Sequence, residues 1–277
     1  LTMDNSNVVR IVTYTGSIDT TTGDFNGIRP SINLKSDVKI VSGSGTVDDP
    51  YRLNGDDDTD LNGVKLNTRY SGEYIRFGTG VNNLYRIVSH ETADLTKITS
   101  AMPLKYSSNY IEKEFNSTNF TTSYGVGKFL NSDFLNQSFG YMTNDQVNMI
   151  EDNTTWYLGT VGGGNSSTKI YKLAKYTNAT DNILTSSRYI AKVGLLRFGE
   201  LMAGQFERYS YGSSSDYWLL NSNGDTEIHY ITCEGNAETR VISSSANVKP
   251  TMNLKENVVI TGGDGTKNNP FTIELSS

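Results

Sequence analysis

A single cysteine, Cys233, and two histidines, His90 and His229, are all that this chain of 277 residues offers to thiol and imidazole chemistry. One cysteine excludes an intrachain disulfide, and its plain role is that of a small, half-buried apolar residue. A nucleophilic thiol needs a base beside it, and neither histidine is placed next to Cys233 by the sequence. Two histidines also argue against a His-rich zinc site. Charge is scarce as well: 19% of residues are charged, and 24 basic against 30 acidic residues leave a net charge of −6. Nucleic acid and anionic lipid surfaces call for a basic face, so neither is expected as a partner. No apolar run approaches the roughly 18 residues of a membrane-spanning helix, so no membrane insertion is expected.

What the chain has instead is polar but uncharged bulk. Asn, Ser, Thr and 26 Gly dominate, while 17 Tyr and 10 Phe supply much of the buriable surface. That many aromatic residues at modest charge excludes wholesale disorder. The composition fits an extracellular, strand-rich protein.

An internal repeat organises the chain. GIRPSINLKSDVKIVSGSGTVDDPYRL begins at Gly27, and NVKPTMNLKENVVITGGDGTKNNPFTI begins at Asn247. The two align without a gap: Pro30 with Pro250, Asn33 with Asn253, Gly45-Thr46 with Gly265-Thr266, Pro50-Tyr51 with Pro270-Phe271. Upstream, Leu1 aligns with Leu220 after a shift of one residue. Residues 1–54 are therefore expected to be the C-terminal part of a preceding repeat, and 55–277 one complete repeat domain. On this reading the chain begins mid-domain within a longer tandem protein. Ile228, Tyr230, Met252, Leu254, Val258 and Ile260 should be core in the complete copy; Val9, Ile11, Ile32, Leu34, Val38 and Ile40 are their counterparts.

The expected fold class is α+β, a mainly antiparallel twisted sheet with two or three short helices. Alternation at Val9 to Tyr14 predicts a strand. Glu73–Phe77 and Leu84–Val88 flank GTGVNN, a hairpin signal, with a third strand at Lys97–Thr99. Helical spacing of Val126, Phe129, Leu130, Phe134 and Leu135 predicts a helix over Gly127–Asn136. Thr143 with Gln146 three residues on forms a capping-box pattern for a helix to about Glu151. Arg197–Ala203 reads as a third helix, stopped by Gly204. Strands are expected at Trp156–Thr160, Tyr217–Leu220, Glu227–Cys233 and Phe271–Leu275.

Chemistry-bearing motifs are few. No phosphate loop, HExxH, GxSxG or paired-cysteine spacing occurs. Glu200 and Glu207 could form a carboxylate pair, but on a short helix they read as a solvated face, and His229 reads as a surface residue. Asp56, Asp58 and Asp60 lie in a run of four carboxylates within five residues, expected to be an extended, self-repelling linker. Calcium is the sharper alternative, although the spacing is not that of an EF-hand; no other cofactor is expected. The best binding candidate spans Asp216 to Asp225. Asp216, Tyr217 and Trp218 place two rings beside an acid, and Asn221, Asn223 and Asp225 supply a polar loop. Rings against a sugar face and carboxylates or amides on its hydroxyls make a glycan site. The competing reading puts Trp218 in the core and the loop among ordinary turns.

At RPSINLKSDVKI, GDGTKNNPF, TTWYLGT and AKVGLLRFGELMAG the chain resembles a family of repeated extracellular domains in surface proteins of Gram-positive bacteria, some of them pilin-like. The resemblance spans Tyr70 to Ile273 and the partial front copy. Tyr217-Trp218-Leu219, Ser222-Asn223-Gly224 and Val248-Lys249-Pro250 are similar to a pattern in the C-terminal part of C-type-lectin-like folds, including the formylglycine-generating enzyme group. The resemblance implies a lectin-like fold. The catalytic cysteines of that group have no match, so its activity is not implied. Three roles follow as expectations: an adhesin or pilus-like module binding a glycan or host surface protein, a non-binding spacer between neighbouring repeats, or, third, an enzyme.

Overall fold

The computed structural model describes residues 3–5, 8–12, 18–21, 30, 32–34, 38, 40–53, 60–90, 95–117, 120–160, 167–174, 177–203 and 215–276. These form an α+β fold, mostly antiparallel sheet with three α-helices. Two five-stranded sheets frame it. In the first the order is Val193–Gly194, Thr251–Leu254, Thr96–Ser100, Leu84–Ser89, Tyr74–Arg76, with every neighbour antiparallel. In the second it is Glu112–Glu114, Ser245–Asn247, Tyr217–Asn223, Glu227–Ile231, Ala237–Val241. There the one parallel contact joins Tyr217–Asn223 to Ser245–Asn247.

The hairpin signal around GTGVNN holds: Tyr74 pairs with Arg86 and Arg76 with Leu84. Alternation along Leu84–Ser89 places Tyr85 and Ile87 in the core. Ile98, Met252 and Leu254 join them from the adjacent strands. Phe77, Phe134, Trp156, Trp218, Ile260 and Phe271 add large side chains to the same core. Fully burying such a side chain contributes roughly 1.5–3 kcal/mol. The expected core positions of the complete copy, Ile228, Tyr230, Met252, Leu254, Val258 and Ile260, are all buried.

The helices sit where periodicity put them, in shorter form: Gly125–Asn131, Asn144–Met149 and Phe198–Ala203. The first buries Val126, Phe129 and Leu130. Asn131, near its end, clamps the edge strand: Nδ2 donates to Val193 O at 2.9 Å, and Val193 N–H donates back to Oδ1 at 3.0 Å. Both arms of the Thr143–Gln146 capping box are present. Phe198 and Leu201 of the third helix pack on a smaller core of Val88, Leu196, Tyr217, Leu219 and Ile231.

The repeat is visible in the backbone. Val258–Gly262 pairs with Thr272–Leu275, and Ile40–Ser42 pairs with Arg52–Leu53. The turns match atom for atom. Gly45 N–H donates to Asp49 O, and Gly265 N–H to Asn269 O. Asp49 N–H donates to Thr46 Oγ1 at 3.1 Å, and Asn269 N–H to Thr266 Oγ1 at 3.2 Å. Gly45 and Gly265 both take positive φ, 79° and 78°, and a ring lies where a Cβ would go: Tyr51 in one copy, Phe271 in the other. That fixes why both copies carry Gly-Thr here. The copies differ in burial. Phe271, Met252 and Leu254 are buried, whereas Tyr51, Ile32 and Leu34 are exposed, Ile32 by 80%.

Candidate functional site

The Tyr217–Asn223 strand lies in the middle of the second sheet, paired on one side with Glu227–Ile231 and on the other with Ser245–Asn247. That position decides what its residues can do. Trp218 is fully buried. Its ring packs edge-on against Phe115 at 5.7 Å and Tyr230 at 6.3 Å, and its Nε1–H donates to Lys113 O at 2.7 Å. Tyr217 is buried on the opposite face, in the smaller core, with Lys249 Nζ 4.7 Å from its ring centre. Neither ring offers a face to solvent.

Asn221 is also fully buried and works as a staple. Its Oδ1 accepts the N–H of Phe198 at 2.7 Å, fixing the start of the third helix. Its Nδ2 donates to Gly159 O at 2.9 Å. Asp216 accepts Cys233 N–H on Oδ1 and Arg240 Nη2 on Oδ2, each at 2.8 Å. Of the six residues expected to bind, Asn223 and Asp225 stand exposed, at the turn between Tyr217–Asn223 and Glu227–Ile231. Asn223 Nδ2 donates to Glu227 Oε2 at 3.2 Å, which also accepts Thr239 Oγ1. The strand thus separates the six: Tyr217, Trp218 and Asn221 are buried in the sheet, Asp216 is half-buried just before it and held by Arg240, and two remain exposed at the turn.

His229 is half-buried, its ring 5.8 Å from Phe198. Burial lowers its pKa, against the pull of Glu227. Asp56 and Asp58 lie outside the described residues. Asp60 is exposed and accepts the N–H of Asn62 at 3.1 Å. Among the described residues no cluster of three His, Cys, Asp or Glu side chains could hold a metal, and no helix is long and apolar enough to cross a membrane.

Glu200 corrects the expectation of a solvated face; Glu207 lies outside the described residues. Glu200 is completely buried, with its Oε1 accepting Lys97 Nζ at 2.8 Å, Arg197 Nη2 at 3.1 Å and Ser89 Oγ at 3.2 Å. Lys97 and Arg197 are equally buried. The helix reads as amphipathic because Phe198 and Leu201 share a side, but its other side faces the back of the first sheet. The overlooked signal was Lys97 itself, a lysine in the middle of a strand whose neighbours Ile98 and Thr99 are core-like.

Among the described residues, two ion pairs join the copies of the repeat. Lys267 Nζ donates to Asp48 Oδ1 at 2.8 Å, and Arg52 Nη2 lies 3.6 Å from Glu73 Oε1. Glu73 is itself gripped by Arg69, at 2.6 and 3.1 Å, and by Tyr70 N–H at 2.9 Å. An open groove of roughly 460 Å³ lies elsewhere, with Glu112, Lys113, Glu114, Lys128 and Asp133 on its walls. Compared with known protein families, with characterised proteins and with solved structures, the chain matches none.

Proposed function

We propose that this chain is a non-enzymatic tandem-repeat module of an extracellular, cell-surface protein, in which successive repeats abut through their closing hairpins. The observation that supports this most directly is the pairing of equivalent turns: Asp48 of the partial copy with Lys267 of the complete one, backed by Arg52 and Glu73. Repetition with a defined junction serves reach and avidity rather than turnover. The domain division, residues 1–54 and 55–277, belongs to this reading, as does the lectin-like resemblance. Small-angle scattering of the chain and of an Asp48→Lys, Arg52→Glu variant tests it. The variant is expected to become more extended; an unchanged profile would reject the junction.

A second reading, adhesion to a glycan or host surface protein, is favoured by the exposed Asn223-Gly224-Asp225 tip. The sugar-stacking version built on Trp218 is not carried forward, because that ring is in the core. A glycan array tests the tip. Signal that disappears in Asn223→Ala and Asp225→Ala would favour adhesion, and uniform silence would favour the spacer.

A further inference from the structure

Among the described residues the closing hairpin occurs twice, and one of the two is covered. In the complete copy residues 61–76 lie across it. Gly63 N–H donates to Ile260 O at 2.8 Å, and Ile260 N–H to Val64 O at 2.9 Å. Tyr74 N–H donates to Gly265 O and Arg76 N–H to Phe271 O, each at 2.8 Å, while Phe271 N–H donates to Tyr74 O at 2.9 Å. Leu66 and Ile75 belong to the same core as Ile260 and Phe271, and the Arg69 guanidinium lies 5.4 Å from the Phe271 ring centre. The partial hairpin has the same turn and the same apolar positions. Ile40 pairs with Leu53, so the two leave one face, and Tyr51 takes the place of Phe271. Yet Ile40 is 57%, Tyr51 54% and Leu53 41% exposed. Among the described residues nothing hydrogen-bonds to the Tyr51 N–H or C=O, or to the Gly45 C=O.

We propose that this face of the partial hairpin is a docking site for the opening segment of another repeat, an extended stretch with the chemistry of residues 61–76. The occupant is read from the complete copy, where that segment already sits on the same hairpin. The proposal rests on the tandem-repeat reading above and names what a closing hairpin receives from a neighbour. The segment adds through main-chain hydrogen bonds to Tyr51 and Gly45, as it does at Phe271 and Gly265. Ile75 and Phe271 are bridge partners in the complete copy, so the equivalent apolar side chain meets the Tyr51 ring. Charge agrees. Residues 40–53 carry Asp48 and Asp49 against Arg52, whereas 61–76 carry Lys65, Arg69 and Arg76 against Glu73. The junction leaves this face open. Arg52, which meets Glu73, precedes Leu53 in the strand, and consecutive strand residues point to opposite faces. An exposed apolar face with unpaired backbone groups invites such an addition.

A synthetic peptide of residues 60–77, added to the full chain, tests this by hydrogen exchange. Exchange across Ile40–Leu53 should slow by about tenfold at saturating peptide and stay unchanged across Val258–Leu275. The same peptide carrying Ile75→Asp should give no protection, and it leaves the chain itself unaltered. Equal protection by both peptides, none by either, or protection moved to Val258–Leu275 overturns the proposal. Protection of Ile40–Leu53 without peptide, rising with protein concentration as a dimer forms in sedimentation, assigns the face to a second copy and overturns it too. The junction is judged separately: scattering of the Asp48→Lys, Arg52→Glu variant involves no peptide, so the two readings fail independently.

Discussion

Lys267 Nζ meets Asp48 Oδ1 at 2.8 Å, so a turn of the complete repeat grips the same turn of its partial copy. Both side chains remain partly exposed, and such pairs contribute at most about 1 kcal/mol. Lys267→Ala alone should therefore leave the unfolding midpoint almost unchanged. Arg52 and Glu73 are more enclosed, each 16% exposed. In the double variant Lys267→Ala, Arg52→Ala, hydrogen exchange should quicken across Ile40–Leu53 and stay unchanged across Thr96–Ser100.

Asn221 and Asn223 sit two residues apart and should behave oppositely. Asn221→Ala strands the buried N–H of Phe198 and the carbonyl of Gly159, and unsatisfied buried groups of this kind cost about 1–3 kcal/mol each. Asn223→Ala and Asp225→Ala, at an exposed turn, should cost less than about 0.5 kcal/mol. Chemical denaturation measures both. If Asn221→Ala unfolds no earlier than Asn223→Ala, the staple role is wrong.

Gly194→Ala should be costly for a different reason. An added Cβ would fall 2.5 Å from the Trp156 ring, which is wedged between this strand and Lys97. Overpacking of a full core costs roughly 1–3 kcal/mol. Trp156 fluorescence should shift along with the midpoint, since the ring must move.

Acid should weaken the fold through its histidines. Burial lowers the pKa of His90, against the carbonyls of Arg69 and Leu95, and that of His229. The unfolded chain then binds more protons than the folded one below about pH 6.5, the free imidazole value. Stability is full above that value and falls as the pH drops through it toward the lowered folded pKa. His90 Nε2–H donates to Arg69 O at 2.7 Å. A His90→Gln variant should lose part of the pH dependence between about pH 7.5 and 5.5, as followed by thermal melts.

Removing residues 1–53 tests the domain division directly. Among the described residues, the core from Leu66 to Phe271 includes none of them. The remaining chain should keep a single cooperative transition; an insoluble or unfolded product would make the first copy an integral part of one larger fold.

Much of this architecture was legible in residue order. The Thr143–Gln146 cap, the Gly-Thr turns and the helical spacing of Val126, Phe129 and Leu130 carried local physics that packing did not override, whereas Phe134 and Leu135, read into the same helix, lie in the turn beyond Asn131. The hairpin Ser167–Ala174 with Thr177–Ile183 was missed, because its Thr, Asn and Lys residues alternate without a clear apolar face. The candidate site was less legible. Aromatic residues beside Asn and Asp fit a sugar site and a sheet interior equally well, and only the strand order, with Trp218 in a central position, separates the two. Glu200 went unrecognised for a related reason: a helix has two sides, and periodicity reports which one is apolar, not whether the other meets water or Lys97.

The first sheet is completed late. Thr251–Leu254 slots between Val193–Gly194 and Thr96–Ser100, beside strands made far earlier in the chain. Yet Ile32-Asn33-Leu34 emerges from synthesis first and presents the same alternation as Met252-Asn253-Leu254. Were the early segment to take the place of the late one beside Thr96–Ser100, it would have the shorter loop to close. Exchange of such equivalent strands between neighbours is the characteristic misassembly of repeat proteins. The finished structure rejects the early copy, leaving Ile32 and Leu34 exposed. The strand that does occupy the place is tied down at both ends: Val248 is hydrogen-bonded to Ile111 and Leu104 on the way in, and Lys255 to Met149 on the way out.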